Sequence, residues 1–460
     1  MEWIVIIFVF AIILHWNKSK TDRQTSLNQK KVDLSSIKLS TEQKELFDKI
    51  NSSNDHILVT GKAGTGKSSL LQYLKHCSSK NLVVVAPTGV AALNVQGQTI
   101  HSFFKIPPSF NSKGILILDD RRKLVLKNID AVVIDEVSMV RADLMDTVDR
   151  ILKHARSSQL PFGGVQMIMF GDMYQLPPVV EDPELFKYFS ANHGGFYFFN
   201  AHVWHSANLK IYQLKTIFRQ KDEKFKRILN AIRTGKISNN ILNELNSRVI
   251  QNPPTEDMLT LAITNQSVSE INHHRLDALD EKLYEYKANM EGRIENSFFP
   301  TEETLYLKKG AQVMLVKNDT NKRWVNGTVG HIHSLRKNEI EVDIDGNIYS
   351  IPQDTWKRIQ YIYNEEEGII DEETISSFTQ FPIKLAWAVT IHKSQGQTYN
   401  SVIIDMGSGA FAHGQTYVAL SRCTSLKGIH LKRRVLKEDI IIDPAIINFM
   451  RFGKTKSRSS

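Results

Sequence analysis

The chain has only two cysteines among 460 residues, Cys77 and Cys423, and they lie far apart in the sequence. No further Cys or His stands at metal-ligand spacing from either of them, so the sequence indicates neither a disulfide framework nor a zinc site. Two isolated thiols fit an intracellular, reducing compartment, which is the nucleus or the cytoplasm.

Long apolar runs are almost absent, and the one exception lies at the N-terminus, in residues 3–14. The stretch to Trp16 would span about 21 Å as a helix, against a hydrocarbon core of about 30 Å. A secretory signal is not indicated, because Glu2 precedes the run where positive charge is expected. Two interpretations of this leader, residues 1–16, stay open. Residues 3–16 form a membrane tether, or the segment packs on protein or is removed. Residues 17–38 are polar and read as a linker.

Acidic residues are fewer than basic ones, 49 against 58, which leaves a net charge of +9. This balance favours an anionic partner, either nucleic acid or an anionic membrane surface. Hydrophobic residues make up 42% of the chain and charged residues 23%, which is typical of a globular protein rather than a disordered one. The length allows two to four domains.

Residues 61–68 read GKAGTGKS and match the phosphate-loop pattern Gly-x-x-x-x-Gly-Lys-Ser/Thr. An apolar, strand-like run precedes the loop at residues 57–60, and residues 69–74 have helical apolar spacing, so the loop has its required strand–loop–helix context. Its glycines let backbone N–H groups point inward around phosphate oxygens, while Lys67 neutralises the β and γ phosphates and Ser68 offers its hydroxyl to Mg²⁺. The predicted ATP-binding residues of this segment are Gly61, Lys62, Ala63, Gly64, Thr65, Gly66, Lys67, Ser68 and Ser69.

Two carboxylates, Asp135 and Glu136, follow the apolar run at residues 131–134. Acidic pairs often end strands as solvated turn residues, but the buried strand before them favours a catalytic pair. We expect Asp135 to be a Mg²⁺ ligand together with Ser68, and Glu136 to orient and deprotonate the attacking water.

Further blocks follow one another along the chain: Gln43, the phosphate loop, APTGVAA (86–92), GQTIHSFF (97–104), GDMYQLPPV (171–179), LKTIFRQ (214–220), FPIKLAWAVTIHKSQGQT (381–398) and GQTYVALSR (414–422). In order and content this series resembles the Pif-one family of superfamily-one DNA helicases, in its RecD-like branch. The resemblance covers residues 39 to about 430.

The resemblance implies nucleotide roles beyond the phosphate loop. Gln43 would contact adenine, Gln175 would sense the γ phosphate, and Arg219 and Arg422 would supply charge to it from a second motor domain. Gly396 is also expected at the nucleotide. A lone arginine more often forms a surface ion pair, so the catalytic roles of Arg219 and Arg422 are predicted from the motifs around them.

DNA contacts are likewise implied by the resemblance. Hydroxyls, amides and backbone N–H groups hold phosphates without reading sequence, while aromatic rings and histidine stack on bases. The alternative for Phe103 is packing in the core. The expected contacts are Pro87, Thr88, His101, Ser102 and Phe103 in the first domain and Thr264, Asn265, His392 and Lys393 in the second.

The expected fold is α/β, with two RecA-like P-loop motor domains and a small inserted SH3-like β-barrel. The first motor domain covers residues 39–205, with a short strand-separating wedge at about 105–127, and the second covers 206–280 and 381–445. Short strand-like runs with Asn-Gly and Asp-Gly turns predict the β insertion at 281–380, whose acidic stretch at 365–373 reads as a solvated loop. Residues 446–460 are predicted to be a mobile basic tail.

These features predict an ATP-dependent DNA helicase that uses Mg²⁺, moves 5′ to 3′ along single-stranded DNA and unwinds tailed or forked duplexes. The polarity rests on the resemblance alone, as do the expected monomeric state and a place in DNA replication, repair or recombination. An ATP-driven clamp that hydrolyses ATP without separating strands is the competing function, and a membrane-tethered scaffold with a vestigial motor is a weaker one.

Overall fold

The computed structural model describes residues 37–107, 118–180, 182–251, 258–292 and 299–456. The predicted leader and most of the linker, residues 1–36, lie outside these ranges. Within the ranges, no helix is both long enough and apolar enough to cross a bilayer.

A six-stranded, wholly parallel sheet forms the first unit, in the order β3-β2-β4-β5-β1-β6. The four central strands are mostly apolar and buried, as expected for a parallel sheet with both faces covered. The strands are β1 (His56–Gly61), β2 (Leu82–Ala86), β3 (Gln98–Thr99), β4 (Ala131–Ile134), β5 (Gln166–Gly171) and β6 (Leu209–Leu214). The helices are α1 (Thr41–Ser52), α2 (Lys67–Cys77), α3 (Gly89–Asn94), α4 (Ile100–Phe104), α5 (Asp120–Asn128), α6 (Ala142–Arg156) and α7 (Pro183–His193).

The second unit is a four-stranded parallel sheet in the order β18-β7-β19-β20. Its strands are β7 (Thr260–Ala262), β18 (Ala388–Thr390), β19 (Val402–Asp405) and β20 (Ile429–Leu431). Its helices are α8 (Glu223–Thr234), α9 (Asn239–Asn246), α10 (Asn265–Asp277) and α11 (Gln415–Ser421). Two parallel sheets with covering helices confirm the expected pair of α/β motor units.

The insertion between β7 and β18 is antiparallel, as expected, but its described strands do not close into a barrel. The five-stranded sheet β14-β13-β12-β11-β17 keeps two edges, because the chain leaves β14 for a separate hairpin instead of pairing β14 with β17. The strands are β8 (Tyr284–Lys287), β9 (Asn289–Glu291), β10 (Thr304–Leu307), β11 (Gln312–Leu315), β12 (Val329–Arg336), β13 (Glu339–Ile344), β14 (Asn347–Ile351), β15 (Asp354–Asn364), β16 (Ile369–Gln380) and β17 (Ile383–Leu385).

The prediction of a solvated acidic loop at 365–373 is confirmed for the exposed turn at 365–368 and wrong for 369–373, which belong to strand β16. Strands β15 and β16 pair along their whole length in a long hairpin, in which Asp371 and Glu372 face Ile362 and Tyr361. Glu372 also forms an ion pair with Lys75 of α2, with Oε1 3.0 Å from Nζ. The hairpin therefore extends from the insertion onto the first motor unit.

Three predicted boundaries move. β6 follows residue 205 but pairs in parallel with β1, so it belongs to the first unit. β17 pairs with β11 and belongs to the insertion. Residues 446–456 of the predicted basic tail belong to helix α12 (Pro444–Lys456), while 457–460 lie outside the described residues. Phe449 of this helix stacks on Phe199 of the first unit, with ring centroids 4.1 Å apart.

The predicted wedge, 105–127, falls partly outside the described residues, at 108–117. Its later part is not a free insertion, because residues 120–127 belong to α5, which buries Val125 and Leu126 in the core of the first unit. Asp119 caps this helix by accepting the N–H of Arg122 at 2.7 Å.

Candidate functional site

The predicted phosphate loop lies between β1 and α2, at the carboxyl edge of the first sheet, where open α/β sheets bind ligands. Lys67 donates to the carbonyl oxygens of Gly61 at 2.8 Å and Lys62 at 3.2 Å, so its ammonium lies over the loop. Burial lowers the pKa of Lys67. Ser68 and Ser69 are exposed in the first turn of α2.

Two loop glycines have backbone angles that side chains rarely adopt, with φ of +80° at Gly64 and +79° at Gly66. A Cβ on Gly64 would lie 2.4 Å from the Cβ of Arg219, and a Cβ on Gly66 would lie 2.5 Å from Nε2 of Gln43. Gln43 donates to the Gly66 carbonyl at 2.9 Å and accepts the Ser40 N–H in a capping box. The structure thus brings the predicted Gln43 and Arg219 against the loop.

The acidic pair follows β4 beside the loop. Burial and the neighbouring Glu136 raise the pKa of Asp135 to about 7, and burial likewise raises the pKa of Glu136. Glu136 has a left-handed backbone with φ of +48°, a strained conformation for a residue with a side chain. Carboxylates at this point would be stabilised in their ionised form by a divalent cation, so the residues fit the predicted Mg²⁺ site.

Of the two predicted arginines, Arg219 lies against the loop, whereas Arg422 bonds residues of the second unit and its charge acts on Glu136. Arg219 donates to the carbonyl of Gly396 at 3.2 Å, while Arg422 is fully buried and donates to Val418 at 3.0 Å. Burial and the charge of Arg422 lower the pKa of Arg219 to about 10. Burial also lowers the pKa of Arg422. Two desolvated guanidinium groups that repel each other are suited to share a polyphosphate.

Residue Asp172, at the end of β5, connects both units to this cleft. Arg233 of α8 donates to its Oδ1 at 2.7 Å, and Tyr417 of α11 donates to its Oδ2 at 3.2 Å. Burial alone would raise the pKa of Asp172, but the charges of Arg233 and Lys67 outweigh it and lower that pKa. The hydroxyl of Tyr417 also accepts the N–H of Ala63 in the loop at 3.0 Å.

Gln175 is buried between the units, where Gln395 of the second unit donates to its Oε1 at 3.5 Å. A Cβ on Gly414 would lie 2.3 Å from the Tyr174 carbonyl oxygen, so the 171–179 and 414–422 segments pack backbone to backbone. Gln175 therefore lies at the contact between the first unit, beside the cleft, and the second unit.

The predicted DNA contacts divide between the two units. Thr88 and Thr264 are exposed and cap helices α3 and α10 by accepting N–H groups from Ala91 and Ser267, both at 3.2 Å. Lys393 is exposed in the turn after β18, whereas burial lowers the pKa of His392 beside it. Exposed helix N-termini of this kind suit phosphate groups. Asn265 is also exposed, and Pro87 and His101 are partly buried.

Phe103 is the exception, because it is fully buried and its ring cannot stack on a base in this conformation. It packs edge-on against Phe104 at 4.8 Å and Tyr361 of the hairpin at 5.7 Å. The helical spacing of α4 turns Phe103 inward while Ser102 stays partly exposed, where Arg358 of the hairpin donates to its Oγ at 3.3 Å. The core-packing alternative for Phe103 is therefore the correct one.

Sequence reasoning gave no role to Asp172, Arg233 or Tyr417. Asp172 and Tyr417 lie inside the blocks 171–179 and 414–422, so their position was a signal that could have found them. No sequence signal marked Arg233, because it lies on an ordinary amphipathic helix outside these blocks. Lys384 was also missed, and burial followed by the charge of Lys393 lowers its pKa to about 8.

Comparison with known proteins gives two family matches. The model described as PIF1-like helicase matches residues 38–242, and the model described as DNA helicase Pif1, 2B domain, matches residues 290–335. The ATP-dependent DNA helicase Pif1 of Bdellovibrio bacteriovorus is 31% identical over 430 residues, which cover 90% of this chain and 92% of that protein. The human relative is longer, and this chain spans 63% of it.

Solved structures show the same likeness. Pif1 of Bacteroides sp. in complex with ADP-AlF4 is 36% identical and has a TM-score of 0.83, with 91% of this chain and 98% of that chain covered. Bacteroides Pif1 bound to single-stranded DNA is 37% identical with the same coverage and a TM-score of 0.66. The chain has a cleft between two parallel sheets, and these relatives match it along nearly its whole described length. The chain therefore belongs to the PIF1-like family of ATP-dependent DNA helicases.

Proposed function

We propose that this helicase hydrolyses ATP with Mg²⁺ in the cleft between its two motor units, moves 5′ to 3′ along single-stranded DNA and thereby unwinds tailed or forked duplexes. The observation that carries the proposal is the approach of Arg219 to the loop that holds Lys67, with the charge of Arg422 close behind it in the second unit. A motor needs this arrangement, because a phosphate bound there contacts both units at once.

The cleft residues would act in sequence on the nucleotide. Backbone N–H groups of the loop and the N-terminus of α2 hold the phosphates, and Lys67 neutralises them. Arg219 and Arg422 lose their mutual repulsion when the γ phosphate lies between them, which draws the second unit toward the first. Hydrolysis removes that attraction, so the two units separate again.

Glu136 would orient the attacking water and accept its proton. Its raised pKa brings the carboxylate closer to the working pH, where a general base is most effective. Ser68 and Asp135 would hold Mg²⁺, which supplies charge stabilisation at the β and γ phosphates when it is bound. Adenine contact by Gln43 remains part of the proposal, since its amide already bonds the loop at Gly66.

The DNA path is proposed to cross Thr88 and Ser102 in the first unit and Thr264, Asn265 and Lys393 in the second. Their hydroxyls, amide and ammonium, all exposed except the partly buried Ser102, bind backbone phosphates without reading bases. The positive net charge of the chain adds a sequence-independent attraction that weakens with salt.

The test is strand displacement by the full chain on duplexes that carry either a 5′ or a 3′ single-stranded tail. We expect ATP- and Mg²⁺-dependent unwinding from the 5′ tail only. Lys67→Ala should reduce hydrolysis and unwinding by at least about a hundredfold, because it removes a phosphate-stabilising charge. Lys187→Ala is the matched control, since that lysine is exposed and its ion pair among the described residues is with Glu184 in its own helix turn.

Other outcomes would decide against parts of the proposal. Unwinding from the 3′ tail alone would reverse the polarity. Hydrolysis stimulated by single strands without displacement on either duplex would instead support a clamp that binds DNA without separating it.

A further inference from the structure

A second cluster of ligand-type side chains lies away from the ATP cleft, on the outer side of the first motor unit. Asp146 of α6, His193 at the end of α7 and His202 of a short 3-10 helix (His202–His205) come together there. Their nearest ligand atoms all lie within 4.8 Å of one another. They line a cavity of about 430 Å³ together with the carboxylates of Asp143 and Asp149.

One carboxylate oxygen is common to the cluster. Oδ2 of Asp146 lies 3.2 Å from Nε2 of His193 and 3.8 Å from Nδ1 of His202. Tetrahedral metal ligands at about 2.1 Å from an ion are about 3.4 Å apart, so both separations suit a shared cation.

Hydrogen bonds already orient two of the ligands. Backbone N–H groups of His202 and Val203 donate to Oδ2 and Oδ1 of Asp146, both at 3.0 Å, which fixes the carboxylate. Nε2 of His202 lies 2.7 Å from the carbonyl oxygen of Asn192. A carbonyl only accepts, so this nitrogen carries the proton, and in the neutral ring Nδ1 directs a lone pair toward Asp146. A backbone carbonyl on the far nitrogen is the usual outer partner of a metal-binding histidine.

With a neutral His202 ring, two acceptors face each other at 3.8 Å, and either a proton on Nδ1 or a cation between the two atoms removes their repulsion. The His193 side chain is only 5% exposed, with Nε2 facing Asp146, while Nδ1 on the same ring has no hydrogen-bond partner among the described residues. The two imidazole rings are nearly parallel, with centroids 4.6 Å apart.

We propose that Asp146, His193 and His202 bind a divalent transition-metal ion, with Zn²⁺ the expected one, and that water completes its coordination. Two imidazoles and one carboxylate are borderline ligands that suit Zn²⁺ better than Mg²⁺ or Ca²⁺, which prefer oxygen alone. His202 is 59% exposed, which gives the ion a route from solvent. The nearby ammonium of Lys153 pairs with Asp149 at 2.8 Å, and this pairing reduces its repulsion of a bound cation.

The ion would join three segments that are distant in the sequence. It connects α6 to the end of α7 and to the 3-10 helix that leads into β6, the strand preceding the Arg219 segment. Sequence spacing concealed the site, because no pair of cysteines marks it and Asp146 is far from both histidines along the chain. The site is independent of the proposed motor function, and either can fail without the other.

The test uses the tag-free full chain, stripped of metal with a chelator and kept without nucleotide. Co²⁺ is titrated as a visible probe, and Zn²⁺ affinity is then measured by competition with a chromophoric chelator. We expect one Co²⁺ per chain with a tetrahedral absorption band, displaced by Zn²⁺, and a thermal midpoint that rises with Zn²⁺ concentration. His202→Gln and His193→Gln should each weaken binding by at least about tenfold. His154→Gln, an exposed histidine on α6 outside the cluster, should leave it unchanged.

His202→Gln is the decisive variant, because its exposed side chain can be exchanged without opening the core. Its fold is checked by circular dichroism and by retained ATP hydrolysis. An unchanged Co²⁺ band in this variant would overturn the proposal by showing that the ion is bound elsewhere. Zn²⁺ binding only above about 100 μM, or a thermal midpoint that His202→Gln lowers equally with and without Zn²⁺, would also overturn it and leave an ordinary His–Asp contact.

Discussion

Arg233 and Asp172 form a buried ion pair that joins the two motor units, with NH2 2.7 Å from Oδ1 and side chains only 4% and 0% exposed. The guanidinium also lies over the ring of Tyr174, 4.1 Å from its centroid. The Tyr417 hydroxyl lies between this pair and the phosphate loop, bonding both Asp172 and Ala63. The two units are therefore joined beside the cleft by a polar contact that involves no nucleotide.

Arg233→Ala should destabilise the chain by about 3–5 kcal/mol, because it leaves the Asp172 carboxylate buried without its cation. Urea unfolding measures this change in the free energy of unfolding. Lys187→Ala removes an exposed pair, 73% and 78% accessible, and should change stability by less than about 1 kcal/mol. Equal small effects of the two variants would mean that water replaces the guanidinium at Asp172.

The ATP site could be predicted from the sequence because its determinants are local. A glycine loop between an apolar strand and a helix, and carboxylates at the end of another strand, occupy the same edge of a parallel sheet wherever such a sheet forms. Lys67, Asp135 and Glu136 all follow that rule. The strand edge fixes their positions without any knowledge of the rest of the chain.

Other features depend on contacts between distant segments, and a local pattern does not contain them. β6 joins the first sheet because it pairs with β1, although it follows the predicted domain boundary. Phe103 turns inward because the hairpin residue Tyr361 covers it. Glu372 looks like part of a solvated acidic run until the hairpin brings it to Lys75.

Glu136→Gln should lower the rate of ATP hydrolysis by about 10²–10⁴-fold while nucleotide binding is retained, because the amide cannot accept the proton of the attacking water. Steady-state hydrolysis and the affinity for a fluorescent nucleotide measure the two effects separately. Glu184→Gln, on an exposed helix face, is the control. Parallel loss of binding and hydrolysis would indicate that Glu136 supports the loop rather than the chemistry.

The raised pKa of Asp135, about 7 because of burial and Glu136, predicts a pH-dependent stability without Mg²⁺. The folded state keeps this proton up to about pH 7, whereas the unfolded chain releases it near pH 4. The contribution of the carboxyl to stability is therefore fully present below about pH 4 and is lost as the pH rises to about 7. The difference in free energy of unfolding between Asp135→Asn and the unaltered chain should therefore grow in favour of the variant from about pH 4 to about pH 7 and be constant at higher pH. Urea unfolding at pH 5, 6, 7 and 8 tests this, and parallel profiles would contradict it.

The hairpin is held on the first unit by the hydroxyl of Tyr361, which accepts the N–H of Val84 at 3.1 Å and lies 3.2 Å from the carbonyl oxygen of the same residue. Tyr361→Phe leaves both buried backbone groups of Val84 without this partner and should weaken the contact by about 1–3 kcal/mol. Hydrogen exchange at residues 82–86 and 359–364 should then quicken. Tyr363→Phe, two residues along β15, should leave exchange unchanged, since no hydrogen bond of its hydroxyl appears among the described residues. If the Val84 amide stayed equally protected in Tyr361→Phe, the hairpin would be held by its apolar contacts and the Glu372–Lys75 pair instead.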